Sequence, residues 1–234
     1  PTSSHKASKE MCAYCFDVLL HELRQHEQQG RSRHHRRSSV LLEEQRFPEL
    51  EGSTFPLFVT WNALWTKGQP RLRGCIGTFA PQPVQSGLYE YTFKSAFEDG
   101  RFSPIQLNEI SKLQCSVSLL TDFEKARDLS DWQIGQHGIT IEFSDQYGRR
   151  RSATYLPEVA PQQGWSKEET LHFLYEKAGV KPTASIKAKT TLTRYQSSKC
   201  TLFYDEYLAS FATPTQLRAG KRPNAATAAV TEPA

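Results

Sequence analysis

One short stretch, residues 71–79, restricts the fold more than any other part of the chain, because it combines β-prone residues with two glycines. Side chains of a strand alternate between its two faces, so Arg73, Cys75 and Gly77 are predicted to share one face. Neighbours on one face lie about 6.6 Å apart, which brings the Cys75 thiol within reach of the Arg73 guanidinium. A nearby positive charge lowers the pKa of a thiol. Gly74 and Gly77 leave space for another backbone or a ligand.

The same residues also suit a purely structural role. A free cysteine usually behaves as a small buried hydrophobe, and glycines in a strand can permit a bend. Both interpretations stay open at the level of the sequence. The functional one names Cys75 and Arg73 as candidate catalytic residues. It names Arg73, Gly74, Cys75 and Gly77 as candidate ligand-binding residues.

The hexapeptide Leu-Arg-Gly-Cys-Ile-Gly at 72–77 resembles the signature of the AMMECR domain family. Further segments resemble animal-type members in the same order, at 11–19, 56–61, 115–120, 153–160 and 192–195. The resemblance covers about residues 8–23 and 53–210. It implies an α+β fold and a nucleus-associated protein. Some microbial relatives are fused to, or encoded beside, Memo-type and radical-SAM proteins, which hints at an enzymatic pathway without assigning a reaction.

Apolar periodicity predicts an α+β domain with a mostly antiparallel sheet and several flanking helices, with room for a smaller second lobe. Strands are predicted at 56–65 and 71–79, paired as a hairpin, and at 113–119. Helices are predicted over 9–25 and 84–99. Another helix begins at Ser166, where Glu169 completes a capping box. The 234 residues suit one domain over 9–212, with disordered termini at 1–8 and 213–234.

A basic segment interrupts this domain at residues 26–46, where we expect a flexible insertion with few apolar residues. Four arginines contribute a charge of +4 between residues 30 and 39, which equals the net charge of the whole chain: Arg31, Arg33, Arg36 and Arg37. Short basic runs bind nucleic acid or direct nuclear import, and they also occur as solvated loops. These arginines are therefore candidate nucleic-acid contacts, although the charge count predicts no strongly basic face on the domain itself.

The cysteines and the hydropathy indicate an intracellular protein. Five cysteines, an odd number, fit reduced intracellular thiols better than a disulfide framework. Within the cell, the family resemblance favours the nucleus over the cytoplasm. Cys12 and Cys15 form a Cys-x-x-Cys pair on a predicted helix, and core packing is favoured over a redox or zinc site. No apolar run reaches about 18 residues, so we expect no membrane span. The N-terminus lacks an apolar signal core, so we expect no secretion.

Motifs of the common enzyme classes are missing. The sequence contains no phosphate-binding glycine loop, no Gly-x-Ser-x-Gly elbow and no His-Glu-x-x-His zinc motif. No cofactor or metal is therefore predicted. The favoured function is a regulatory or adaptor domain that binds a protein or a small ligand at the 71–79 strand.

Two alternatives stay open beside this function. The first is a Cys75-dependent enzyme in which Arg73 holds an anion and Glu158 or His137 moves protons. The second is nucleic-acid binding through the basic insertion. Binding through four arginines predicts an affinity that falls steeply with salt.

Overall fold

The computed structural model describes residues 6–28, 46–64 and 69–212. Six strands form one antiparallel sheet in the order β2-β1-β3-β6-β4-β5. The strands are β1 Thr54–Ala63, β2 Arg71–Pro83, β3 Leu113–Lys125, β4 Gly138–Ser144, β5 Arg150–Tyr155 and β6 Thr191–Phe203. The helices are α1 Lys9–Gln28, α2 Val84–Phe97, α3 Val159–Gln163, α4 Lys167–Lys177, α5 Ala184–Ala188 and α6 Tyr204–Ser210. The predicted α+β class is confirmed.

Two hydrophobic clusters lie on the same face of this sheet. The larger one joins α1, α2 and α6 to β1, β3 and the end of β6, and the smaller one joins α4 and α5 to β4 and the start of β6. Leu192 belongs to the smaller cluster and Leu202 to the larger one. Because these two residues of one strand are ten positions apart, alternation places them on one face. The helices therefore cover one side of the sheet, and we call this the helix side.

Helix α1 is buried more completely than a single stripe predicts. Cys12 and Cys15 have no exposed surface, which confirms that they pack in the core. Tyr14, on another side of the helix, is also buried, and its ring meets the edge of Phe47 at a centroid distance of 5.7 Å. The chain from residue 46 onward thus covers a surface of α1 that the periodicity predicts to be exposed.

Several boundaries differ from the sequence-based prediction. Helix α1 continues to Gln28, inside the predicted insertion. The N–H of Ala7 donates to Ser198 Oγ at 3.0 Å, so this part of the predicted disordered N-terminus is tied to β6. The signature strand β2 packs against α2 beside the larger cluster.

The capped helix forms as predicted. Ser166 Oγ accepts from the Glu169 N–H, and the Glu169 carboxylate accepts from the Ser166 N–H. Leu174 and Tyr175 on its inner side are fully buried. A local capping pattern was sufficient here because both partners lie within one helical turn.

Candidate functional site

A β-bulge in β2 sets the direction of every side chain in the signature stretch. Three residue pairs define it: Cys75 with Thr60, Gly74 with Trp61 and Leu72 with Asn62. Arg73 is thus the extra residue between two paired positions, which interrupts the alternation of faces. Arg73 and Gly74 lie on the helix side, whereas Cys75 lies on the opposite side with Thr60. The prediction that Arg73 and Cys75 share a face is wrong.

Arg73 is buried, and the protein itself uses its guanidinium. Its Nε donates to Glu109 Oε2 at 2.7 Å and its Nη2 to Oε1 at 3.0 Å. The main-chain oxygens of Ser103 and Pro104 accept from the same group at 2.7 and 3.3 Å. Burial would raise the pKa of Glu109, but the bonds from Arg73 and from the Gln106 N–H lower it overall. The proposed role of Arg73 as an anion holder or catalytic residue is therefore corrected to a structural ion pair.

The two glycines of the motif permit close packing on opposite sides of β2. A Cβ at Gly74 would lie 2.0 Å from the main-chain oxygen of Ser95 in α2. A Cβ at Gly77 would lie 2.3 Å from the ring of Phe58 and 2.4 Å from the main-chain oxygen of Leu57. Contact of either glycine with a ligand stays a prediction, because close packing alone accounts for both residues.

Cys75 is the member of the motif that faces outward. Its thiol is half-buried, and its sulfur accepts a hydrogen bond from Thr60 Oγ1 at 3.2 Å. Because β2 is an edge strand, main-chain groups of Cys75 are available to side chains from outside the sheet. Its N–H donates to Asp99 Oδ2 at 2.9 Å, and its carbonyl accepts from Arg101 Nη2 at 3.0 Å. The loop after α2 therefore holds Cys75 at both main-chain polar groups.

Asp99 and Arg101 supply the charged group beside Cys75 that the sequence assigned to Arg73. Their side chains form a two-pronged ion pair, with distances of 2.9 and 2.7 Å. The Arg101 guanidinium holds the pKa of the buried Asp99 carboxyl well below its usual range. Asp99, and to a smaller extent Cys75, raise the pKa of Arg101. A fixed cation therefore does lie near the thiol, but it comes from the loop rather than from the strand.

Polar side chains continue from Cys75 across four strands. One row consists of Cys75, Thr60, Ser116 and Thr201, and the hydroxyls of Ser116 and Thr201 share a hydrogen bond of 2.9 Å. The next row consists of Gly77, Phe58, Ser118 and Lys199. These rows lie on the side of the sheet opposite the helix side. Ser116 and Ser118 are buried, so Thr60 and Thr201, which are half-buried, are the hydroxyls in these rows that can offer hydrogen bonds to a bound molecule.

The sheet curls around this strip. The Phe79 ring on β2 and the Tyr195 ring on β6 approach to 6.1 Å, although three strand spacings, about 14 Å in a flat sheet, separate their strands. Phe58 contacts Phe79 at 5.2 Å, and Phe123 stacks on Tyr195 at 4.9 Å. The rings therefore close one end of a concave surface. We call this surface, from the two polar rows to these rings, the groove.

Exposed apolar surface is concentrated on this side of the sheet. Of the six large hydrophobic side chains exposed in the described part of the chain, four lie here: Leu72, Phe79, Phe123 and Phe203. Concentrated exposed apolar surface commonly marks a binding surface. The groove is therefore the candidate functional site.

A family model named AMMECR1 matches residues 12–200. The chain belongs to the AMMECR1 family. Relatives of this chain include an uncharacterized protein of Arabidopsis thaliana, 43% identical over 87% of this chain and 88% of the relative. An uncharacterized protein of Schizosaccharomyces pombe is 40% identical over 86% of this chain and 95% of the relative.

A solved structure shares the fold of this chain. It is the crystal structure of an uncharacterized protein from Pyrococcus horikoshii, with a TM-score of 0.59 and 24% identity. The similarity covers 82% of this chain and 91% of that chain. At this identity the comparison supports the architecture alone.

The two candidate proton carriers, His137 and Glu158, lie away from Cys75. His137 precedes β4, its Nδ1 accepts from the Gln133 N–H at 3.0 Å, and burial lowers its pKa. Glu158 lies at the start of α3, beyond β5. Among the residues that the structure describes, neither has a hydrogen bond or an ion pair with Cys75.

Other predicted sites lie outside the groove. Arg31, Arg33, Arg36 and Arg37, and the tail from residue 213, are outside the described residues. Within the described ranges, no cluster of three or more His, Cys, Asp or Glu side chains is arranged to hold a metal. The helices in those ranges include none that is both long enough and apolar enough to cross a bilayer.

Sequence reasoning did not identify the residues that bond to Arg73 and Cys75. Glu109 and Thr60 carry no motif, and their roles depend on contacts with residues 36 and 15 positions away. Asp99-Gly-Arg101 gave the only local signal, an acid and a base two residues apart after a helix. Asp99 is buried and bonded to the signature strand, which this local pattern does not indicate.

Proposed function

We propose that this AMMECR1-family protein is a regulatory or adaptor domain that binds a small ligand in the groove beside Cys75. One observation carries the proposal: the half-buried thiol lies in a row of hydroxyls on a concave surface, on the side of the sheet opposite the two helix-packed clusters of the described residues. The aromatic end adds apolar contact area, since Phe79 and Phe123 are 38% and 45% exposed. Binding sites commonly combine such apolar walls with a few convergent polar groups. An intracellular role is supported by the odd number of cysteines, a nucleus-associated one by the family resemblance, and both are part of the same proposal.

The rest of the motif supports this role indirectly. Arg73 and Gly74 hold β2 against the helix side, and Asp99 and Arg101 hold the main chain of Cys75. A binding group that is held rigidly loses little conformational entropy when a ligand arrives. The motif therefore suits a preorganised site with Cys75 as its outward-facing residue.

Neutral N-phenyl-1-naphthylamine, whose fluorescence rises in apolar sites, tests whether the groove binds. We expect it to bind the full chain and to slow alkylation of Cys75 by iodoacetamide, measured by peptide mass spectrometry. Phe79→Ser should weaken binding several-fold. Tyr147→Ser is the matched control, because Tyr147 is 72% exposed in the turn between β4 and β5. Equal effects of the two substitutions, or no protection of Cys75, would refute binding in the groove.

A thiol-dependent reaction is the second candidate. Two observations favour it: Thr60 donates to the Cys75 sulfur, and the Arg101 guanidinium lies beside the same residue. The distinguishing experiment is Cys75→Ala in cells. A ligand-binding role predicts retained cellular function with altered ligand affinity, whereas catalysis at Cys75 predicts complete loss.

A further inference from the structure

We infer that the ligand of the groove is an anion, a carboxylate or a phosphate on an apolar or aromatic body. The inference rests on the proposed function and adds the chemical class of the ligand. It follows from the charges around the groove, from the donors on its rims and from the aromatic end.

At the aromatic end of the groove, Phe123 lies between the exposed Asp122 and Glu124, and Glu124 is paired with Arg194. The strand segments that form the two polar rows contain no acidic residue. They are 72–79 of β2, 58–62 of β1, 114–120 of β3 and 195–203 of β6. The one charged side chain among their groove-facing positions is Lys199, because the bulge turns Arg73 to the helix side. A concave surface lined by one sign of charge raises the local concentration of oppositely charged ligands.

Each rim of the groove carries a cation. Lys199 lies on β6, is exposed, and has no hydrogen bond or ion pair with any described residue. Arg101 lies at the β2 rim, with a side chain that is 55% exposed. Its Nε and Nη2 bond to Asp99, while its Nη1 donates to no described group. Asp99 offsets the charge of Arg101. Of the two rim cations, Lys199 is therefore the one without an acidic partner within the described ranges.

The size and polarity of the groove define the body of the ligand. The rims are three strand spacings apart, at most about 14 Å, and less because the sheet curls. Hydroxyls of Thr60 and Thr201 lie between the rims. The exposed rings of Phe79 and Phe123 lie toward one end. A planar apolar body of two or three rings with one anionic group would fill this space and reach one rim cation.

Two fluorescent probes separate the anion from the apolar body. 1-Anilinonaphthalene-8-sulfonate has the ring system of N-phenyl-1-naphthylamine and adds a sulfonate. We expect Lys199→Gln in the full chain to weaken sulfonate binding by about 3- to 5-fold, the size of a partly exposed charge pair. Binding of the neutral probe should not change. Salt should weaken the binding of the sulfonate probe but not that of the neutral probe, because exposed charges are screened.

Lys189→Gln is the matched control, because Lys189 is exposed just beyond α5, on the far side of the smaller cluster. The inference is overturned if both lysine substitutions change sulfonate affinity equally, or if salt weakens neither probe. Failure of the neutral probe to bind in the groove would instead refute the proposed function. If the neutral probe still binds but Lys199→Gln does not change the affinity for the sulfonate probe, the inference that the ligand is an anion is refuted and the proposed function is not.

Competition then distinguishes the two kinds of anion. 1-Naphthoate and 1-naphthyl phosphate should displace the sulfonate, and the stronger competitor identifies the preferred group. 1-Naphthylmethanol, which is uncharged, should displace it at least several-fold less well. Equal displacement by the alcohol and by both anions would overturn the inference.

Discussion

The two sides of β2 differ in what surrounds them, although they belong to the same short motif. On the helix side, Arg73 is sealed in a bidentate ion pair with Glu109, and α2 packs against Gly74. On the groove side, Cys75 is half-buried and bonded through its sulfur to Thr60. Residues of one short motif can thus have two different roles: some hold the strand in place, and another exposes its side chain to a ligand. Substitutions on the helix side should therefore cost stability, and those on the groove side should mainly change binding.

The largest effect is expected from Arg73→Met. It leaves the Glu109 carboxylate buried without its charged partner, so the free energy of unfolding should fall by about 3–5 kcal/mol. Arg73→Lys should recover only part of the loss, because an ammonium cannot form two parallel bonds. The double variant Arg73→Met, Glu109→Leu should recover most of it. Urea denaturation measures all three variants, and a loss below about 1 kcal/mol for Arg73→Met would contradict the sealed helix side.

The same pair has a defined pH dependence. The pKa of Glu109 is lower in the folded protein than the unfolded value of about 4.3. Its contribution to stability is therefore complete above about pH 4.3 and is lost as the pH falls through the folded pKa. In Arg73→Met, burial remains as the largest cause and only the weaker effects of the Gln106 N–H and of Lys112 oppose it, so that pKa should rise. The difference in stability between wild type and variant should then shrink between pH 6 and 3.5, and a constant difference would exclude Glu109 as its source.

A smaller loss is expected from Gly74→Ala. The new Cβ would lie 2.0 Å from a main-chain oxygen of α2, and overpacking of this kind costs about 1–3 kcal/mol. Gly100→Ala is the control, because nothing lies within 4 Å of a Cβ there. The measurement is the thermal unfolding midpoint of both variants. Similar midpoints would show that α2 moves away from β2 without cost.

Asp99→Asn tests the connection between the two sides. It weakens the bonds to Arg101 and to the Cys75 N–H, and we expect a loss of about 1 kcal/mol because Arg101 is more than half exposed. Loss of this restraint should also increase the rate at which iodoacetamide alkylates Cys75. Unchanged alkylation would show that the loop does not position the thiol.

The smallest effect on stability is expected from Thr60→Val. The substitution removes the donor to the Cys75 sulfur but keeps the side-chain volume, so stability should change by no more than about 0.5 kcal/mol. Alkylation of Cys75 and probe affinity should both change. A stability loss as large as that of Gly74→Ala would mean that the groove side is also structural.

Much of the fold could be predicted because its signals are local. The hairpin of β1 and β2 follows from two β-prone runs separated by a short connection. Ser166 and Glu169 lie within one helical turn, so their spacing alone indicates the cap. Cys12 and Cys15 follow the period of a helix that packs on the sheet. The site at the 71–79 strand stays a prediction, and the structure pairs its Arg73 with Glu109 rather than placing it beside Cys75.

The sequence by itself determined which segments are strands and helices and that Cys75 lies in a glycine-flanked strand, because these properties depend on periods of a few residues. Only the tertiary structure decided the bulge at Arg73, since one extra residue leaves no local pattern but reverses the face of its neighbours. Tertiary structure also selected Glu109, Asp99 and Thr60 as partners, and curled the sheet so that Phe79 meets Tyr195. Contacts between distant residues are chosen by the free energy of the whole packed molecule, for which short-range patterns carry no signal.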